Sequence, residues 1–142
     1  MSYTFEQLKE DVRKEAEALR VHATKEERER INLKDFFHRG RHSCIYGLAT
    51  FDCHSQRAAE LIQKCTPRYF KNKRLTDIRF EGFKGITKRV NGMQVKGFVQ
   101  SRTSDDIESK HYSAIEAYIL LPEANNANLI AYLRGETDNL EL

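Results

Sequence analysis

Cys44, Cys53, His54 and Cys65, with His42 close by, are the residues of this chain best suited to chemistry. Thiolates and imidazoles are the ligands zinc prefers, and four of them converging would make a site. The spacings fit no common finger or ribbon. There is no Cys-x-x-Cys, and Cys65 falls on the apolar side of an expected helix. Reduced thiols packed as small hydrophobes are the simpler reading, with no metal and no cofactor. Cys53-His54 also invites a thiol-nucleophile reading, because the pair lies just ahead of an expected helix N-terminus, where a thiol pKa falls. Neighbours in sequence seldom face each other as nucleophile and base, and no third residue orients them, so a helix-entry loop is favoured.

Carboxylates give a weaker pattern. Asp77, Glu81 and Lys84 lie on or beside one expected strand and loosely suggest a metal-dependent nuclease. Side chains alternate across a strand, so Glu81 and Lys84 fall on opposite faces unless Gly82 forms a bulge. Asp105-Asp106 reads as a polar loop. No glycine loop that cradles phosphate and no serine elbow is present. No catalytic residue is assigned.

Cations interleaved with rings are the remaining signal. Phe36-Phe37-His38-Arg39-Gly40-Arg41-His42 and Arg68-Tyr69-Phe70-Lys71-Asn72-Lys73-Arg74 each combine the two. Arg39, Arg41, Arg68, Lys71, Lys73 and Arg74 would neutralise phosphates, and exposed rings would stack on unpaired bases. The opposing reading places Phe36, Phe37 and Phe70 in the core and leaves the charges to solvate the surface. Charge is distributed unevenly enough to keep the first idea in play. Residues 34–74 hold nine Lys/Arg and three Asp/Glu, whereas from Ser101 onward there are three basic and eight acidic residues.

The elements that would position these residues follow from periodicity. Thr4-Phe5-Glu6-Gln7 has capping-box form, and Phe5, Leu8, Val12, Ala16 and Leu19 make an amphipathic stripe. Thr24-Lys25-Glu26-Glu27 repeats the box and opens a short charged surface helix ending near Ile31. Residues 44–48 suit a short buried strand or one helical turn. Ser55 caps a helix with Ala58, Ala59, Leu61, Ile62 and Cys65 inward, ended by Pro67. Alternation over residues 78–90 and 93–99 around Asn91-Gly92 predicts a β-hairpin. Residues 111–121 read as a third strand ended by Pro122. Ser113-Ala114-Ile115-Glu116 offers the rival reading of a capping box opening a helix. Asn125 or Asn126 caps a last helix through Leu133, Gly135 closes it, and the tail beyond is expected to fray.

The fold expected is thus α+β: a three-stranded antiparallel sheet packed by amphipathic helices, one domain over residues 1–142. A polar N-terminus, an apolar run of only residues 117–121 and an odd count of three cysteines point to a cytoplasmic protein with no membrane partner.

Cys44-Ile45-Tyr46-Gly47, Asp52-Cys53, Ser55, Arg57-Ala58 and Glu60-Leu61-Ile62-x-Lys64-Cys65 resemble a segment of uncharacterised small proteins of bacterial prophages and phages. Ile115-Glu116-Ala117-Tyr118-Ile119 and Leu129-Ile130-x-Tyr132-Leu133-x-Gly135-Glu136 are similar too. The resemblance implies a mobile-element origin and a bacterial host cell, and it brings no activity, ligand or catalytic residue. The function expected is that of a non-enzymatic accessory protein that binds another protein, or a second copy through its sheet edge. A nucleic-acid-binding module using the basic segment is the alternative, and a metal- or thiol-dependent enzyme is the remote one.

Overall fold

A computed structural model describes residues 4–36, 44–71, 87–90, 93–96, 99–100, 113–119, 121 and 123–142. Its core is helical. Helix α1 runs Phe5–His22, α2 Lys25–Glu29, α3 Ile45–Thr50, α4 Gln56–Cys65, α5 Ala114–Ile119 and α6 Asn126–Leu133, with a 3-10 turn at Arg68–Phe70. Both expected capping boxes form. Thr4 Oγ1 accepts the Gln7 N–H at 3.1 Å while Gln7 Oε1 accepts the Thr4 N–H at 2.8 Å, and Thr24 and Glu27 repeat the exchange at 3.1 and 2.9 Å. Each exchange satisfies first-turn amides that the helix itself leaves unpaired.

Helix α1 is the central element, packing against α5, α4 and α6. Leu8, Val12, Ala16 and Leu19 have no exposed surface, and each leucine so buried contributes about 2 kcal/mol. Helix α4 is capped by Ser55, whose Oγ accepts the Ala58 N–H at 3.1 Å, and it buries Ala58, Leu61 and Cys65. Ala59 and Ile62, expected on its inner side, face outward instead. Residues 44–48, left open between strand and helix, are the start of α3.

The α+β expectation is overturned. The segment expected as the third strand is α5, and Ser113 Oγ accepts the Glu116 N–H at 3.3 Å while Glu116 Oε1 accepts the Ser113 N–H at 3.1 Å. The rival capping box therefore prevailed. Residues 114–119 are buried all round, so the stretch shows no helical stripe, and an apolar run this short reads equally as strand or helix. The helix takes six residues, Ala114–Ile119, fewer than the eight that lie between Ser113 and Pro122 in the sequence. Apart from the helices, Thr87–Val90 pairs antiparallel with Met93–Lys96, and Val99–Gln100 with the latter. Those segments are four and two residues long. The described core is built from helices and connecting loops, and a three-stranded sheet packed by helices is not found among the described residues. Asn91-Gly92 and residues 78–86 of the expected hairpin lie outside the described residues.

The C-terminal tail does not fray. Leu140 is buried, and α1 and α2 hold the segment through side chains: Arg13 donates to Leu140 O at 3.4 Å, Arg20 to Thr137 O at 3.1 Å and Arg28 to Leu133 O at 2.7 Å. Gly135 has φ +81°, which closes α6 at little cost because glycine has no Cβ, and the Glu136 N–H then reaches Ala131 O at 2.9 Å.

Candidate functional site

Two carboxylic acids lie inside the helical core. Glu15 follows Val12 by three residues on α1 and so falls within the apolar stripe, and Glu116 is the fourth residue of the Ser113 capping box. They are 0% and 2% exposed. Glu15 Oε1 accepts the Ile115 N–H at 2.8 Å, supplying a partner to one of the open first-turn amides of α5, and Tyr46 donates its hydroxyl to Glu15 Oε2. The Thr66 hydroxyl lies 3.4 Å from the same Tyr46 oxygen. Residues from α1, α3, α5 and the end of α4 thus meet at one polar centre.

Electrostatics there follow from desolvation. Burial raises the Glu15 pKa to about 7, against the opposing hydrogen bonds from Tyr46 and Ile115. Burial, and then the charge of Glu15, raises Glu116 to about 8. Glu116 Oε2 has no hydrogen-bond partner among the described residues, which makes a negative charge on that carboxyl costly. Burial pushes Tyr46 well above its ordinary value, and burial followed by Glu15 pushes the Cys65 thiol up to about 12. Tyr46, Cys65 and most of Glu116 are therefore uncharged at neutral pH, while Glu15 is near the midpoint of its titration there. Tyr46 is also only 2% exposed, so these groups are closed to solvent. Their chemistry is to cap α5 and to join four helices.

The sulfur residues divide differently from the metal reading. Cys44 caps α3, its Sγ accepting the Gly47 N–H at 3.3 Å, and its thiol is in hydrogen-bond contact with that of Cys53. Contact with Cys53, then burial, raises the Cys44 pKa. Cys65 is buried at the end of α4 near Glu15, and His54 is exposed in the turn after Cys53. Among the described residues no group of three or more His, Cys, Asp or Glu could hold a metal ion. His42 and the Asp77, Glu81, Lys84 set lie outside the described residues.

Of the six cations expected to contact nucleic acid, Arg68 and Lys71 are exposed on and after the 3-10 turn, with Lys64 exposed one turn earlier. Arg39, Arg41, Lys73 and Arg74 lie outside the described residues. Phe36 and Phe70 are core side chains, each 1% exposed, so neither offers a face to a base. Tyr69 is half-buried, packed edge-on to Phe70 with ring centroids 5.1 Å apart.

One exposed ring was missed by sequence reasoning. Phe51 ends α3 with φ 73° and is 77% exposed. The left-handed region is costly for a bulky residue, by roughly 1–3 kcal/mol. The Arg30 guanidinium covers one face at 4.1 Å from the ring centroid and donates to Ala49 O at 2.5 Å. Arg57 fastens the same end of the molecule, bonding Glu27 twice at 2.8 Å and His22 O at 2.9 Å. An aromatic surrounded by polar residues at the close of a short helix carries no sequence signal that separates it from a core ring.

No helix among the described residues is long and apolar enough to cross a membrane. No family model, no curated protein and no solved structure matches the chain.

Proposed function

We propose that this protein is a non-enzymatic interaction module that binds another protein through the end of the helical body carrying Phe51. The observation that carries the reading is an aromatic side chain presented to solvent on strained backbone and clamped by a cation. Rigid aromatic and arginine side chains are the residues from which interface anchors are made, because little conformational entropy is lost when they dock. The partner's surface would offer an apolar recess for the ring and a carboxylate for the Arg30 guanidinium. The resemblance to phage proteins adds a bacterial host cell as the setting.

Phe51→Gly separates binding from folding. Glycine relieves the positive φ while removing the ring, so stability should stay within about 1 kcal/mol of the parent. A partner retained by the parent in cross-linking pull-downs should be lost with Phe51→Gly and weakened with Arg30→Ala. An identical set of cross-linked proteins from parent and both variants would rule the surface out.

The exposed Arg68 and Lys71, with Lys64, keep nucleic-acid binding as a second reading, since residues 61–76 contain no acidic side chain. Arg68→Ala/Lys71→Ala should then weaken oligonucleotide binding and flatten its dependence on salt. Binding that is absent at low salt, or unaltered by the substitutions, discards it.

A further inference from the structure

We infer that residues 136–142 occupy a peptide-binding groove along α1 and α6, and that an acidic linear segment of another protein, of the form Thr-Asp-x-Leu-x-Leu, competes with them for it. The groove holds its occupant mainly by the backbone. From α1, Arg20 donates to Thr137 O at 3.1 Å and Arg13 to Leu140 O at 3.4 Å. From α6, the Asn128 carboxamide donates to Asn139 O at 2.9 Å and accepts the Glu141 N–H at 2.6 Å. One side chain thus pairs with the backbone groups on either side of Leu140, as a residue of a neighbouring parallel strand would. That clamp turns the Leu140 side chain inward, where it is 8% exposed.

Side chains of the occupant are read at few points. Leu142 packs partly buried against the core beyond Leu140, while Asn139 and Glu141 are exposed. Asp138 pairs with Arg20 at 2.7 Å, and the Asn139 N–H bonds Thr137 Oγ1 at 3.2 Å in a local turn around that aspartate. Arg20 is also placed by the helices, its guanidinium lying 4.5 Å from the centroid of the Tyr132 ring on α6. Carbonyls and amides are common to every peptide, so contacts of this kind hold a foreign segment as well as the resident one. Selection then falls to one carboxylate and two leucine-sized side chains. Arg13 and Arg20 favour an acidic occupant, and residues 136–142 carry Glu136, Asp138 and Glu141 with no cation. None of these residues belongs to the Phe51 surface, so the inference stands or falls apart from that reading.

The test uses the full chain and a fluorescently labelled synthetic peptide of residues 136–142, read by anisotropy. In the parent the attached segment competes, so only chains whose groove is open bind, and apparent affinity is reduced by that fraction. Leu140→Ala and Asp138→Ala weaken the attached occupant and should each raise affinity for the free peptide by about fivefold or more. Adding Asn128→Ala to either should abolish the gain. A peptide that keeps only the Thr, Asp and two Leu of the pattern, with alanine elsewhere, should bind like the native one, and a scrambled peptide should not bind. Circular dichroism checks that each chain keeps its helices. The Asp138 side chain is exposed, so Asp138→Ala decides the matter even where Leu140→Ala costs the fold. No peptide binding by the folded Asp138→Ala chain, binding indifferent to Asn128→Ala, equal binding of the scrambled peptide, or a parent dimer joined by exchanged segments would each overturn the inference.

Discussion

Glu15 and Glu116 make stability depend on pH in an unusual direction. Their folded-state values, about 7 and about 8, lie above the ordinary 4.5, so the folded protein keeps protons that the unfolded chain has released. Their contribution is therefore full below about pH 4.5, declines as pH rises and levels off beyond about 8. Glu116→Gln keeps an uncharged acceptor for the Ser113 amide. It should flatten that decline and raise stability at pH 8 by on the order of 1–2 kcal/mol, read from urea unfolding at pH 5 and pH 8. Glu27 acts oppositely. The Arg57 hydrogen bonds lower it to about 2, so its contribution is present above about 4.5 and lost as pH falls toward 2. Arg57 is more than a third exposed, and solvent screening limits Arg57→Ala to about 1 kcal/mol at neutral pH. That variant should also unfold less steeply in acid.

Among the elements, those announced by a cap were legible in the sequence, and those without a stripe were not. Thr4, Thr24, Ser55 and Asn125 each start a helix because the side-chain oxygen has one amide to serve. Helix α5 has the same signature in Ser113 and Glu116, yet its burial on all sides erased the periodicity that would have decided for it. Ser113→Ala should cost about 1–2 kcal/mol, more than Thr24→Ala on the exposed α2, because the amide it strands lies in the core. Parallel chemical denaturation of the two variants reads the difference. The polar centre was hidden for a related reason. Glu15 sits where α1 calls for an apolar residue, which is visible along the chain, but its partners come from residues 46 and 115 and no local pattern joins them. Cys65 was recognisable as a buried thiol, whereas the half-buried setting of Cys44 and Cys53 was not, because it depends on a left-handed Phe51 turn between them that composition does not foretell.

For the molecule as a whole, the tail is a structural component. Removing residues 137–142 takes away the buried Leu140 and the carbonyls that Arg13 and Arg20 hold, and should cost about 2 kcal/mol or more. Thermal unfolding of the shortened chain gives the answer, and an unchanged midpoint would mean the tail is only lying on the surface. One acidic residue of the tail meets a basic one of the first helix, Asp138 pairing with Arg20 at 2.7 Å, while the basic segment 34–74 takes no part in that pair. Helix α1 has a further consequence for biosynthesis. Its apolar face is closed by α5 and α6, and Glu15 meets Ile115 one hundred residues later. A ribosome-bound chain would thus carry part of the Leu8, Val12 and Leu19 stripe without its late-arriving cover, and contacts so distant in sequence form slowly. Until translation passes α6, the growing polypeptide has only α4 to cover part of that face, and the rest of the stripe waits for the chain's last helices.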